Sequence, residues 1–75
     1  MTRLPRVSGK DLVAALIRAG FTLVNVRGSH HYLELPAGSA LVTVPVHGKR
    51  ILKPKTLKSI LEQAGLSVEE LLERL

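Results

Sequence analysis

Two short turn signals, Gly28-Ser29 and Pro36-Ala37-Gly38-Ser39, divide residues 21–44 into three runs of strand-forming residues. Spacers this short leave consecutive strands one simple way to pair, as an antiparallel meander. Phe21 to Arg27 is rich in aromatic and β-branched residues and predicts the first strand. His30 to Leu35 predicts the second. Ala40 to Val44 predicts the third, ended by Pro45, which has no N–H to continue a ladder. The first run alternates imperfectly, because Phe21 and Leu23 share one parity while Val24 and Val26 share the other. That pattern asks for a bulge or for burial on both faces.

Helical patterns flank the meander. Ser8 is placed to cap a helix over Lys10 to Ala19, with the acid Asp11 three residues later, near the positive helix end. Leu12, Val13, Leu16 and Ile17 recur at the helical period as one apolar stripe, and Gly20 stands where a left-handed residue ends the helix. Pro54 suits the first turn of a second helix whose apolar face is Leu57, Ile60, Leu61 and Ala64, stopped by Gly65. Ser67 and Glu70 form a capping box that opens a short last helix, predicted to bury Val68, Leu71, Leu72 and Leu75. The order is α-β-β-β-α with an extra terminal helix. It predicts an α+β two-layer sandwich, helices on one face of a three-stranded antiparallel sheet and the other face open. Double-stranded-RNA-binding domains share this dsRBD-like arrangement, but topology alone licenses no function.

The 75 residues predict one domain, 1–75, with a marginal core. The absence of cysteine excludes disulfides and thiolate zinc sites. No run approaches the roughly 20 apolar residues that span a bilayer, and no apolar segment of signal-peptide type follows the N-terminus. These features predict a soluble, cytoplasmic protein without membrane partners. Charge is uneven: residues 1–58 hold ten Lys or Arg against two acids, and residues 59–75 hold one Arg against four Glu. The first part is thus +8 and the tail −3, making the net +5. A positive field of this size draws polyanions, phosphate backbones first among them.

Chemistry concentrates in Arg27-Gly28-Ser29-His30-His31-Tyr32-Leu33-Glu34-Leu35-Pro36. Side chains alternate across a strand, and Leu33 and Leu35 are the apolar set that must face the core. His31 shares their parity. His30, Tyr32 and Glu34 share the open face. Imidazole can take or give a proton near neutral pH, and Arg or Lys beside it can stabilise charge building on a phosphorane. Spacing alone leaves His30 open between catalyst and ordinary surface residue. His30, His31 and His47 carry no acid or thiol at a recognised ligand spacing, so no metal site is expected. The acid-free series Lys49, Arg50, Lys53, Lys55 and Lys58 is either a solvated face or, in part, a phosphate-binding one. Asp11 reads as helix-start chemistry.

Taken together, the segments SGKDLVAALIRAGF, RGSHHYL, LVTVPVH and KPKTLKSILEQAGLS resemble the HicA toxin family of bacterial toxin–antitoxin systems over nearly the whole chain. The resemblance implies a dsRBD-like fold and a metal-independent endoribonuclease that needs no cofactor, cleaves mRNA and arrests translation. It implies a HicB-type antitoxin partner that masks the active face and usually also binds operator DNA. The histidine of the family's Gly-Ser-His motif is catalytic, which on this chain is His30, with Gly28 as the motif glycine and His31 as a secondary candidate. Arg27, Gly28, Ser29, Tyr32, Lys49, Arg50, Lys53 and Lys55 are the candidate RNA-binding residues. The proton donor that would complement His30 stays open among Tyr32, a lysine, water and His47. The sequence departs from the family pattern in its acidic terminal helix with Glu69, Glu70 and Glu73, which can shield the basic surface, extend the core or contact another subunit. Two other readings compete: a double-stranded-RNA-binding module without activity, and a module whose positive face serves only an acidic protein.

Overall fold

The computed structural model describes residues 3–38 and 40–75. Met1, Thr2 and Ser39 lie outside them, Ser39 being the last residue of the predicted second turn. The element order is α1 (Gly9–Arg18), β1 (Thr22–Arg27), β2 (His30–Glu34), β3 (Leu41–Pro45), α2 (Pro54–Ala64) and α3 (Val68–Arg74). The strands form one antiparallel sheet in the order β1-β2-β3, so β2 is central. This is the expected α+β, dsRBD-like arrangement. α1 lies across all three strands, α2 lies against β3, and α3 packs on α1.

The three helix starts and the end of α2 have local reasons. The Ser8 hydroxyl accepts the Asp11 N–H at 3.1 Å, satisfying one of the donors a helix start leaves free. α2 begins with proline, whose missing N–H costs nothing in the first turn, and ends at Gly65 in the left-handed region with φ 71°. α3 carries the predicted capping box in full. The second turn, between β2 and β3, is a turn of 3-10 helix over Pro36–Gly38.

The imperfect alternation of β1 resolves as a bulge. Leu23 pairs with Leu33 and Asn25 with Tyr32, which leaves Val24 as the extra residue. The bulge gives Leu23 and Val26, three positions apart, to the same face, opposite Leu33 and His31.

The core joins α1 (Leu12, Val13, Ala15, Leu16), the sheet (Leu33, Val42, Val44), α2 (Leu57, Ile60, Leu61, Ala64) and Leu71 of α3, together with Val7 and Phe21 on either side of α1 in the chain. Two expectations fail here. Ile17 is 48% exposed, because the covered face of α1 turns through Ala15 instead. In α3, Leu71 is fully buried and Val68 packs against the core, but Leu72 and Leu75 are 44% and 49% exposed. A helix of seven residues seated on one neighbour has room to bury one row of side chains. Of the three roles open to the acidic tail, extension of the core is the one its packing fulfils. The Arg18 guanidinium also donates to the Arg74 carbonyl at 2.7 Å, tying α1 to the end of α3. Among the described residues no helix is long and apolar enough to cross a membrane.

Candidate active face and its basic cleft

The β1–β2 hairpin turns at Gly28-Ser29, where Gly28 adopts φ 58° in open space. A side chain there would be strained by the backbone alone, not by crowding. The turn delivers His30 to the first position of β2. His30 is exposed and stands opposite Arg27 on one side and Pro45 on the other. Tyr32, between Asn25 and Thr43, is half-buried and shares the face of His30. Arg27 is exposed on that face, and Glu34 closes the row.

His31 goes the other way. It pairs with Val44, which is fully buried, and is itself half-buried, with its Nδ1 3.4 Å from the Ser29 carbonyl oxygen. The two histidines are thus separated onto opposite faces, as their parity requires.

After β3 the chain is held at two places. The Val46 N–H donates to the Ser29 carbonyl at 2.7 Å, and the Leu52 N–H to the Val7 carbonyl at 2.8 Å. A bridge between Ser8 and Ile51 reinforces the second. Between these anchors the backbone turns at Gly48, and the Arg50 N–H donates to the His47 carbonyl at 3.0 Å. The held segment forms a cleft of about 270 Å³ lined by Pro45, His47, Arg50, Ile51, Leu52, Lys53 and Thr56.

The basic series is therefore sorted rather than gathered. Arg50 and Lys53 line this cleft together with His47. Lys55 lines a neighbouring groove with Thr43, Ser59 and Gln63, which meets the cleft at Thr56. Lys49 is exposed on the turn and lines neither. Among the described residues no group of three or more His, Cys, Asp or Glu side chains converges as a metal site.

Sequence reasoning passed over Gly9. An ideal Cβ on Gly9 would fall on the Pro45 carbonyl oxygen and 3.0 Å from the Val46 α-carbon. Gly9 is the point where α1 and the end of β3 touch backbone to backbone. The only local signal was a glycine standing in a helix start where most residues serve equally well. Thr56 was passed over as well, since one helical threonine carries no pattern.

The family model described as the HicA toxin of bacterial toxin–antitoxin matches residues 9–66 of the 75. The match takes in α1, the whole sheet and α2, and ends before α3. No curated protein matches the chain.

Proposed function

Because the chain belongs to the HicA toxin family of bacterial toxin–antitoxin systems, we propose that it is an endoribonuclease that cuts mRNA without a metal and so blocks translation. In this reading residues 1–75 act as one toxin domain in the cytoplasm, where the substrate is. Family membership implies a cognate antitoxin; here it is a HicB-type protein covering the active face.

The observation that carries the reading is the position of His30. It is exposed at the start of the central strand, directly after the left-handed Gly28 turn, with Arg27 opposite it. The chemistry follows from that placement. The His30 imidazole takes the proton of a ribose 2′-hydroxyl as the 2′-oxygen attacks the adjacent phosphorus. The P–O5′ bond breaks, and the departing 5′-oxygen takes a proton from Tyr32 or water. The products are a 2′,3′-cyclic phosphate and a 5′-hydroxyl. Arg27 favours the charge that builds on the phosphorane oxygens. Ser29 and the exposed Lys49, Arg50, Lys53 and Lys55 supply polar and cationic surface for the RNA on either side.

Incubating the parent and His30→Ala with an unstructured mRNA in EDTA tests this. Cleavage by the parent and none by the variant is expected. Intact RNA in both lanes, with retarded migration at low salt, would overturn the ribonuclease and favour an RNA-binding module without activity.

A further inference from the structure

We propose that the cleft between Pro45 and Thr56 is a nucleotide subsite that holds the RNA unit next to the scissile phosphate. The cleft has two kinds of wall. His47, Arg50 and Lys53 present cationic or proton-donating groups, Thr56 adds a hydroxyl, and no carboxylate lines it. Pro45, Ile51 and Leu52 present apolar surface. A ligand with an anion joined to a compact ring fits both walls. Its volume, about 270 Å³, is near the low end of the roughly 300–1,000 Å³ of small-molecule sites. One nucleotide has room there, and a duplex does not.

Pro45 connects the cleft to His30. Directly opposed residues on neighbouring strands have α-carbons about 4.5–5.5 Å apart, and Pro45 is the residue opposite His30. The same proline lines the cleft. A strand of RNA with its scissile phosphate at His30 therefore places an adjoining nucleotide against Pro45. The hydrogen bond from Val46 to Ser29 fixes this spacing, since it ties the cleft's first segment to the turn that carries His30. The proposal rests on the ribonuclease reading for its orientation toward His30. It departs from that reading in giving Lys49 and Lys55 no part in the subsite and in adding His47 and Thr56.

The test uses the full chain and a short single-stranded deoxyoligonucleotide, which keeps the phosphates but lacks the attacking 2′-hydroxyl. Amide resonances of His47, Arg50, Ile51, Leu52, Lys53 and Thr56 should shift on titration. Arg50→Ala/Lys53→Ala should bind about tenfold more weakly or worse. The slope of log affinity against log salt should fall by about 0.7, one phosphate's share on a single strand. Arg3→Ala/Lys10→Ala, which removes the same charge from residues that do not line the cleft, should bind as the parent does. All four side chains are exposed, and an unchanged amide spectrum verifies each fold. Shifts that map elsewhere, or equal weakening by the two double variants, would overturn the subsite. Cleavage of the matching RNA separates this from the wider reading. Cutting by Arg50→Ala/Lys53→Ala with an unchanged KM removes the subsite and leaves the ribonuclease. Cleft shifts with uncut RNA keep the subsite and remove the ribonuclease.

Discussion

Gly9 meets Pro45 backbone to backbone, and Pro45 stands directly opposite His30. The start of α1 is thereby seated against the strand end beside the candidate catalytic histidine. In an open helix position, glycine-to-alanine gains roughly 0.5–1 kcal/mol. Here the added methyl lands on a backbone carbonyl that has no rotamer by which to move aside. Overpacking costs typically about 1–3 kcal/mol, so the clash decides the sign. Gly9→Ala should lower the urea midpoint and displace the Pro45 and Val46 resonances. An unchanged or raised midpoint would show that α1 can shift without strain.

The two histidines of the Gly-Ser-His-His motif should separate in a stability measurement. His30 is exposed, so His30→Ala should change stability by less than about 0.5 kcal/mol while abolishing RNA cleavage. His31 is half-buried against the layer that holds Val44, so His31→Ala should cost about 1 kcal/mol. Any loss of cleavage in His31→Ala should track its loss of folded protein. Full loss of activity in a stably folded His31→Ala would move the catalytic role one position along the strand.

The separation of those histidines was legible in the sequence, because a strand's period of two assigns each residue a face once Leu33 is given to the core. The four buried positions of α2 were legible in the same way, from the helical period, and the caps of α1 and α3 and the stop at Gly65 because each rests on contacts within a few residues. Ile17 and Leu72 were not. Periodicity defines an apolar stripe but not how much of it a neighbour covers, and α1 is covered through Ala15 instead of Ile17. The cleft was hidden altogether. Its shape depends on Val46 reaching Ser29 and Leu52 reaching Val7, pairings between segments far apart in the chain. The basic series read as one cluster in the sequence, and the fold deals its members to different grooves.

α3 lies beyond the matched region, yet Leu71 is buried as completely as any core residue. Leu71→Ala should cost about 2–5 kcal/mol. A chain of 75 residues, at roughly 0.05–0.15 kcal/mol per residue, has about 4–11 kcal/mol in all, so this loss takes a large share of it. Leu72→Ala, one position on and exposed, should shift stability by less than about 0.5 kcal/mol. Chemical denaturation of the two variants side by side checks this. Equal midpoints would mean that α3 adds nothing to the core, leaving the tail to shield the basic surface or to contact another subunit.

Glu70 makes the stability of α3 depend on pH. Its carboxylate accepts the Ser67 N–H at 3.0 Å, and the Ser67 hydroxyl accepts the Glu70 N–H at 3.0 Å. The Ser67 N–H first, then the Ser67 side chain beside the carboxylate and to a smaller extent the Arg74 charge, hold the carboxyl below its ordinary value of 4.5. A carboxyl lowered by folding binds fewer protons in the native state than in the unfolded one, so stability rises with pH across that window. The contribution is complete above 4.5 and is lost as pH falls through the lowered native value. Glu70→Gln can accept the same N–H but does not titrate. Urea midpoints of parent and variant, followed from about pH 6 down to about pH 3, should differ in slope, the parent losing more on acidification. Both residues are exposed, so added salt should blunt the difference. Parallel profiles for the two proteins would show that the box caps α3 without any preference for the ionised carboxylate.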